Sequence, residues 1–88
     1  GVYIEGSHGI RTENELLCVS DTQNEYGEFL RFETLTFAPI DLDGIDPALM
    51  SKPEQHRLNE YHALVYSTLS PLMSDEERQW LKDATRPV

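Results

Sequence analysis

The stretch Phe29-Leu30-Arg31-Phe32-Glu33-Thr34-Leu35-Thr36-Phe37, followed by Ala38-Pro39, divides the chain into two parts. Aromatic and β-branched residues dominate this stretch, which is typical of a strand. Pro39 ends the strand because proline donates no hydrogen bond to a ladder. Apolar residues occur on both faces, so we expect both faces to be packed. The spacing of apolar residues changes after Pro39 from a strand period to a helical one.

Two segments upstream of this strand also favour extended structure, namely Gly9–Asn14 and Glu15–Val19. The polar stretch from Ser20 to Gly27 is typical of a hairpin loop. The N-terminal part of the chain is therefore predicted to form antiparallel strands.

Helix starts are marked by capping residues in the C-terminal part. Asp46-Pro47 predicts an N-cap followed by proline in the first turn, whereas Ser51-Lys52-Pro53-Glu54 and Ser74-Asp75-Glu76-Glu77 predict capping boxes. Ser70-Pro71 predicts a kink or an end between the two longer helices. Their apolar stripes are predicted as Leu58, Tyr61, Leu64, Val65, Thr68 and Leu69, then Trp80, Leu81 and Ala84. The predicted fold class is α+β, with antiparallel strands followed by two or three short helices.

Size and charge exclude several classes of function. The 88 residues suffice for one small domain, and the net charge of −9 disfavours nucleic acid as a partner because phosphate binding needs clustered Lys and Arg. No apolar run approaches the roughly 18 residues of a membrane span, and no signal-peptide pattern opens the chain. We therefore expect neither nucleic acid nor a membrane as a partner.

Two features bear on origin and compartment. The chain begins at Gly1 without methionine, which fits a piece of something longer, although removal of a tag or of the start residue would also explain it. The single cysteine, Cys18, cannot form an internal disulfide and indicates a reducing compartment. Because Cys18 lies in an apolar run without a neighbouring histidine, we interpret it as a small buried side chain and not as a catalytic thiol.

Several candidate ligands have simpler explanations. His56 and His62 lie six residues apart on one predicted helix, so they point in different directions and are expected to be solvent-facing or structural. His8 lies alone in a glycine-rich turn. The acidic run Asp41–Asp46 lacks the glycine position and the bidentate glutamate of a calcium loop, so turn and capping roles explain it better.

The stretch Gly9-Ile10-Arg11-Thr12-Glu13-Asn14 has more than one interpretation. In a strand, Arg11 and Glu13 point to the same face, where they either pair with each other or are both solvated. Local chemistry alone favours an ordinary surface pair.

The order of motifs along the chain resembles the end of a Xaa-Pro aminopeptidase (aminopeptidase P) of the pita-bread metallopeptidase family. Gly1-Val2-Tyr3-Ile4 resembles the end of that family's Glu-Pro-Gly-x-Tyr motif, and Gly9–Asn14 resembles the Gly-[Ile/Val]-Arg-[Ile/Leu]-Glu-[Asn/Asp] motif that follows. The resemblance continues through the strand that leaves the catalytic domain, the helical residues Leu58-Asn59-x-Tyr61-His62 and the final Ala84-Thr85-Arg86-Pro87. Thr12 departs from the pattern, which has an aliphatic residue there. Arg57 departs too, since a tryptophan often precedes Leu-Asn.

The resemblance implies a site. In this family two divalent metal ions, typically manganese, are held by two aspartates, a histidine and two glutamates. Glu13 matches the last of these, a carboxylate that bridges both ions, and such a shared anion offsets the repulsion between cations roughly 3.5–4 Å apart. Arg11 matches an arginine beside the metal cluster that hydrogen bonds a carboxylate of the site. The remaining ligands fall upstream of Gly1, so this chain alone is expected to be inactive.

The resemblance also implies an organisation. Residues 1–46 are expected to be the end, or remnant, of a pita-bread catalytic domain, and residues 47–88 a helical C-terminal extension. The implied parent is a cytoplasmic exopeptidase that acts on peptides with proline at the second position. This chain would contact the rest of its own catalytic domain, and the extension could support a homodimer. The alternative is a non-catalytic interaction or dimerisation module.

Overall fold

The computed structural model describes every residue from Gly1 to Val88. The chain forms two compact units, residues 1–36 and 37–88. The first contains strands and the second contains helices: β1 (Val2–Ile4), β2 (His8–Ile10), β3 (Leu16–Asn24), β4 (Gly27–Thr34), α1 (Lys52–Leu69) and α2 (Asp75–Ala84). Short 3-10 turns occupy Leu42–Gly44, Pro47–Leu49 and Ser70–Leu72. The predicted α+β class, with antiparallel strands before two helices, is confirmed.

β1 and β2 form a small antiparallel hairpin. Gly6, at φ +71°, makes the tight turn between them because glycine tolerates the left-handed region, and Ser7 N–H donates to Ile4 O at 3.0 Å. Tyr3 pairs with Gly9 across the two strands. This register sets the aromatic ring of one strand opposite a residue without a side chain.

β3 and β4 form a longer antiparallel hairpin, from Leu16 opposite Thr34 to Asn24 opposite Gly27. The turn between them is closed by the Asn24 side chain, whose Oδ1 accepts from Tyr26 N–H at 2.9 Å, and by Gly27 at φ +128°. The register shifts between Ser20 and Thr22, as at a β-bulge.

The strand boundaries differ from the sequence prediction in several places. β4 ends at Thr34, so residues 35–37 of the predicted strand lie outside it and Pro39 does not mark its end. Residues 20–24 continue β3 and do not form a loop, because their partners in β4 supply a ladder that polarity alone does not reveal. Residues 11–15 lie outside any strand. The predicted strand Gly9–Asn14 is therefore wrong beyond Ile10, and the hairpin loop is shorter than predicted.

The predicted helix caps are all present. Ser51 and Ser74 each accept through the side chain from the backbone N–H three residues on. The carboxylates of Glu54 and Glu77 in turn accept from the backbone N–H of the capping serine. Asp46 Oδ1 accepts from Ala48 N–H at 3.0 Å and opens the 3-10 turn at Pro47. The first helix ends at Leu69, immediately before Ser70-Pro71, as predicted.

The helical unit has a small core made of Leu58, His62, Val65 and Leu81. Residues 58, 62 and 65 are spaced by four and three, so they share one face of α1. The predicted stripe is therefore wrong at Leu64 and Thr68, which are exposed, and His62 belongs to the core instead. Trp80 is 61% exposed, so the predicted apolar face of α2 is represented by Leu81 and the half-buried Ala84.

Two consecutive side chains of α1 hold the backbone that precedes it. The Tyr61 hydroxyl donates to Ala38 O at 2.7 Å, and His62 Nε2 accepts from Ile40 N–H at 3.0 Å. Asn59 pairs with both backbone groups of Val88, at 2.9 and 3.3 Å. These side chains fix the segments at both ends of the helical unit to one helix.

The strand unit has no buried residue. Cys18 is exposed, which contradicts the interpretation of it as a buried side chain, because neither face of the hairpin is covered within the unit. Large apolar side chains of both strands are exposed as well, including Leu16, Leu17, Leu30 and Phe32.

None of the helices combines the length and apolar composition that crossing a membrane requires.

Candidate metal-ligand site

The carboxylate of Glu13 is held by the guanidinium of Arg11. Arg11 Nε and Nη2 both donate to Glu13 Oε2, at 2.9 and 2.7 Å. Both side chains lie in the irregular segment directly after β2, and both are more than half exposed. The sequence predicted that these side chains share a face and left pairing as one of two outcomes. The structure selects pairing, although the segment is not a strand.

A third side chain completes this cluster. Arg11 Nη1 donates to the Tyr3 hydroxyl at 2.8 Å, so the guanidinium contacts an acid on one side and a phenol on the other. Sequence reasoning assigned no role to Tyr3, since the contact depends on the pairing of β1 with β2. One signal was available in the sequence. Tyr3 and Gly9 lie in two short segments joined by a turn, and pairing of these segments sets the tyrosine opposite the glycine.

The two contacts favour the charged form of the arginine. The hydrogen bond to Glu13 and, second, that to Tyr3 raise the pKa of the Arg11 guanidinium above its ordinary value. Arg11 is therefore a permanent cation whose donors are directed by two neighbours. Through two donors it fixes the orientation of the Glu13 carboxylate.

The Glu13 carboxylate suits a divalent cation as a single ligand. It offers oxygen, which hard cations prefer, and both hydrogen bonds from Arg11 fall on Oε2, so Oε1 accepts neither of them. The chain contains no group of three or more His, Cys, Asp or Glu side chains placed to hold a metal ion. The residues present therefore fit a contribution of one ligand to a site.

None of the three histidines has a hydrogen bond or ion pair with Glu13. His8 Nδ1 is 2.8 Å from Ser7 Oγ, and His56 is exposed and 3.2 Å from Glu60 on the same helix. His62 is buried in the core of the helical unit. The structure thus places His56 in a solvent-facing role and His62 in a structural one.

The acidic run Asp41–Asp46 has the turn and capping roles that the sequence predicted. Asp41 Oδ1 accepts from Asp43 N–H at 3.0 Å, and Asp46 caps the next 3-10 turn. Arg86 approaches Asp43 at 3.9 Å. Backbone hydrogen bonds thus account for two of these carboxylates.

Known proteins resemble the chain over its whole length. It is 37% identical over 94 residues to a probable Xaa-Pro aminopeptidase P from Coprinopsis cinerea, covering 100% of this chain and 15% of that protein. It is 44% identical over 93 residues to aminopeptidase P2 from Arabidopsis thaliana, covering 100% of this chain and 13% of the relative. The chain thus spans only about a seventh of the length of these relatives.

A solved structure gives the same picture. The X-prolyl aminopeptidase from Caenorhabditis elegans, described as a cytosolic enzyme with a di-nuclear active site, matches with a TM-score of 0.75 and 32% identity. The match covers 98% of this chain and 15% of that one. The family described as the C-terminal region of peptidase_M24 matches residues 28–88. With most of its length inside that match, this chain belongs to the peptidase_M24 C-terminal region family.

Proposed function

We propose that this chain is the C-terminal part of a metal-dependent Xaa-Pro aminopeptidase, which hydrolyses the bond between an N-terminal residue and proline. The observation that carries the proposal is the Glu13 carboxylate, oriented by Arg11 within the motif Gly9–Asn14. Similarity over the whole chain to proteins named as Xaa-Pro aminopeptidases supports it.

In the proposed site Glu13 would be one of the ligands that hold two divalent metal ions, which we propose to be manganese. When bound, such ions polarise a peptide carbonyl and lower the pKa of a coordinated water. The chain's own residues orient the ligand. Arg11 directs Glu13 through two hydrogen bonds, and Tyr3 holds the third donor of Arg11.

We propose that residues 1–46 end a catalytic domain of the pita-bread type and that residues 47–88 form a helical extension. The exposed apolar side chains of the β3–β4 hairpin support a place for it against the rest of that domain. The helical extension has its own small core, which supports a structural role in packing on the catalytic domain or in homodimer formation.

The 88-residue chain by itself is proposed to be inactive. It carries one of the five ligands that the resemblance implies, and one exposed carboxylate binds a divalent cation weakly. A cytoplasmic location is proposed for the whole enzyme, supported by the cytosolic neighbour from Caenorhabditis elegans.

The test compares the 88-residue chain with the complete product of its gene. Each is assayed with added Mn²⁺ on a tripeptide that has proline at the second position and on a matched tripeptide with alanine there. We expect hydrolysis by the complete product only, and only of the proline peptide. Turnover by the 88-residue chain would contradict its inactivity, and a complete product without proline-dependent turnover would contradict the proposed activity.

A second candidate is a non-catalytic docking module, which the same exposed hairpin would serve. The reading frame upstream of Gly1 separates the two. A Glu-Pro pair immediately before Gly1, with two aspartates and a histidine earlier, supports the enzyme. A frame without those residues supports the module.

A further inference from the structure

Gly9 leaves the space that the ring of Tyr3 occupies. A Cβ added at Gly9 would lie 2.6 Å from Cδ1 and 2.9 Å from Cε1 of Tyr3. Carbon atoms in contact are normally 3.5–4.0 Å apart, so the ring would have to move. Cδ1 lies next to the root of the ring, and a small motion of the far end of the side chain would not relieve this overlap.

Backbone conformation does not explain the glycine at this position. The glycines with positive φ are Gly6 and Gly27, and Gly9 is not among them. An L-residue can therefore adopt the backbone angles of Gly9. What excludes a side chain here is the neighbouring aromatic ring.

The position of that ring is transmitted to the Glu13 carboxylate. The Tyr3 hydroxyl accepts from Arg11 Nη1, and the other two donors used by Arg11 both reach Glu13 Oε2. Because the guanidinium is planar and rigid, moving one of its acceptors alters the direction of all its donors.

A second glycine borders the same contact. A Cβ added at Gly1 would lie 3.1 Å from the Tyr3 hydroxyl oxygen and 3.1 Å from Arg11 Cγ. The Tyr3–Arg11 hydrogen bond therefore lies between two residues that have no side chain. A larger residue at Gly1 would disturb it less than one at Gly9, because 3.1 Å is a milder overlap.

We propose that Gly9 is a positioning residue for the Glu13 site: its missing side chain seats Tyr3 across β2, and the seated ring fixes Arg11 and thereby Glu13. The role in catalysis rests on the proposed function. The effect on Arg11 does not, since it concerns contacts within this chain.

The structural test uses Gly9→Ala in the complete gene product, with the Arg11 Nε–H resonance and its exchange with solvent as the readout. We expect that resonance to shift and its exchange to accelerate, because the hydrogen bonds of the guanidinium are altered. Gly44→Ala is the control, since Gly44 has an ordinary φ and open space around its Cα. An unchanged Arg11 Nε–H in Gly9→Ala would overturn the proposal.

A double-mutant cycle separates this role from a general need for glycine. In Tyr3→Ala the ring is absent, so adding Gly9→Ala should change the Arg11 Nε–H no further. If Gly9→Ala changes the Arg11 Nε–H resonance equally with and without the tyrosine, the hairpin requires glycine for a reason independent of Tyr3 and the proposal is wrong.

The catalytic arm uses the complete gene product. There we expect Gly9→Ala to lower kcat/KM on the proline tripeptide by about 10–100-fold, as for loss of partners that orient metal ligands. If the wild-type gene product has no proline-dependent activity while Gly9→Ala still shifts the Arg11 Nε–H resonance and accelerates its exchange, the positioning role is upheld and the proposed function is refuted. If the wild type hydrolyses the proline tripeptide and Gly9→Ala has the same kcat/KM, the positioning role alone is refuted.

Discussion

At the residue scale, three side chains determine what the candidate site can do. Arg11 supplies three donors, of which two reach Glu13 and one reaches the Tyr3 hydroxyl, and Glu13 is the oxygen ligand that we propose. The pairing of residues 11 and 13 was partly predictable, because they are two apart and share a face in an extended chain. The contribution of Tyr3 was not, since it depends on the register between two strands of three residues each.

The first prediction at this scale concerns the fork of Arg11. Lysine keeps the charge but cannot donate to Glu13 and Tyr3 from a planar fork. We therefore expect Arg11→Lys in the complete gene product to lower kcat/KM on the proline tripeptide by about 10–100-fold. Arg31→Lys is the matched control, because Arg31 forms an exposed pair with Asp21 at 3.6 Å. Equal losses in both variants would contradict a special role for Arg11.

The second prediction concerns the buried His62. Its Nε2 accepts from Ile40 N–H, so the neutral ring carries its proton on Nδ1, which has no partner. Burial lowers the pKa of His62 below its ordinary value. The folded state thus binds fewer protons than the unfolded chain, whose histidine titrates near a pKa of about 6.5. His62 therefore contributes fully to the free energy of unfolding above a pH of about 6.5, and this contribution is lost as the pH falls through the lowered pKa of the folded state.

The measurement is urea unfolding of the helical unit at pH 7.5 and at pH 5.5. We expect the wild type to lose stability at the lower pH, and His62→Gln to show a smaller loss between the two conditions. His56→Gln should retain the wild-type pH dependence, because His56 is exposed. A wild-type pH dependence in His62→Gln would contradict the assignment.

At the element scale, the helix starts were predicted well and the strand ends were not. In a capping box the first and fourth of four consecutive residues exchange hydrogen bonds between side chain and backbone. This pattern is local, so Ser51–Glu54 and Ser74–Glu77 could be predicted from the sequence. Residues 20–24 look like a loop because they are polar, but their strand conformation comes from partners in β4. His62 was missed as a core residue because its ring is polar, although it shares a face with Leu58 and Val65.

The prediction at this scale tests the cap of α2. Ser74→Ala removes the acceptor for Glu77 N–H and should lower the free energy of unfolding by about 1 kcal/mol, with reduced helicity by circular dichroism. Ser67→Ala is the control, since the Ser67 hydroxyl only donates to Leu64 O within α1. We expect that control to change stability by less than about 0.5 kcal/mol. A smaller effect at Ser74 than at Ser67 would refute the capping argument.

At the scale of the whole molecule, the two units differ in what they bury. The helical unit has a small core of its own, whereas the strand unit has none. Isolated two-stranded hairpins are marginal in water, and this one presents apolar side chains along both strands. Exposed apolar strands of this kind favour association with another surface.

We therefore expect the 88-residue chain to self-associate as its concentration rises, under reducing conditions that keep Cys18 as a thiol. Sedimentation velocity across a concentration series measures this. Replacing Leu30 and Phe32 by threonine preserves strand propensity and should shift the chain toward monomer. Leu49→Thr, at an equally apolar and more exposed position outside the hairpin, should not. A strictly monomeric wild type at high concentration would contradict this account.

The central claim is our proposal that Glu13 is a metal ligand in the complete gene product, and metal content tests it most directly. The complete gene product, purified with Mn²⁺, is compared with its Glu13→Gln and Glu33→Gln variants by elemental analysis, Glu33 being an exposed acid of β4. We predict about two metal ions per chain in the wild type and in Glu33→Gln, as expected for a two-metal site, and fewer in Glu13→Gln. Two ions per chain retained in Glu13→Gln would contradict the claim.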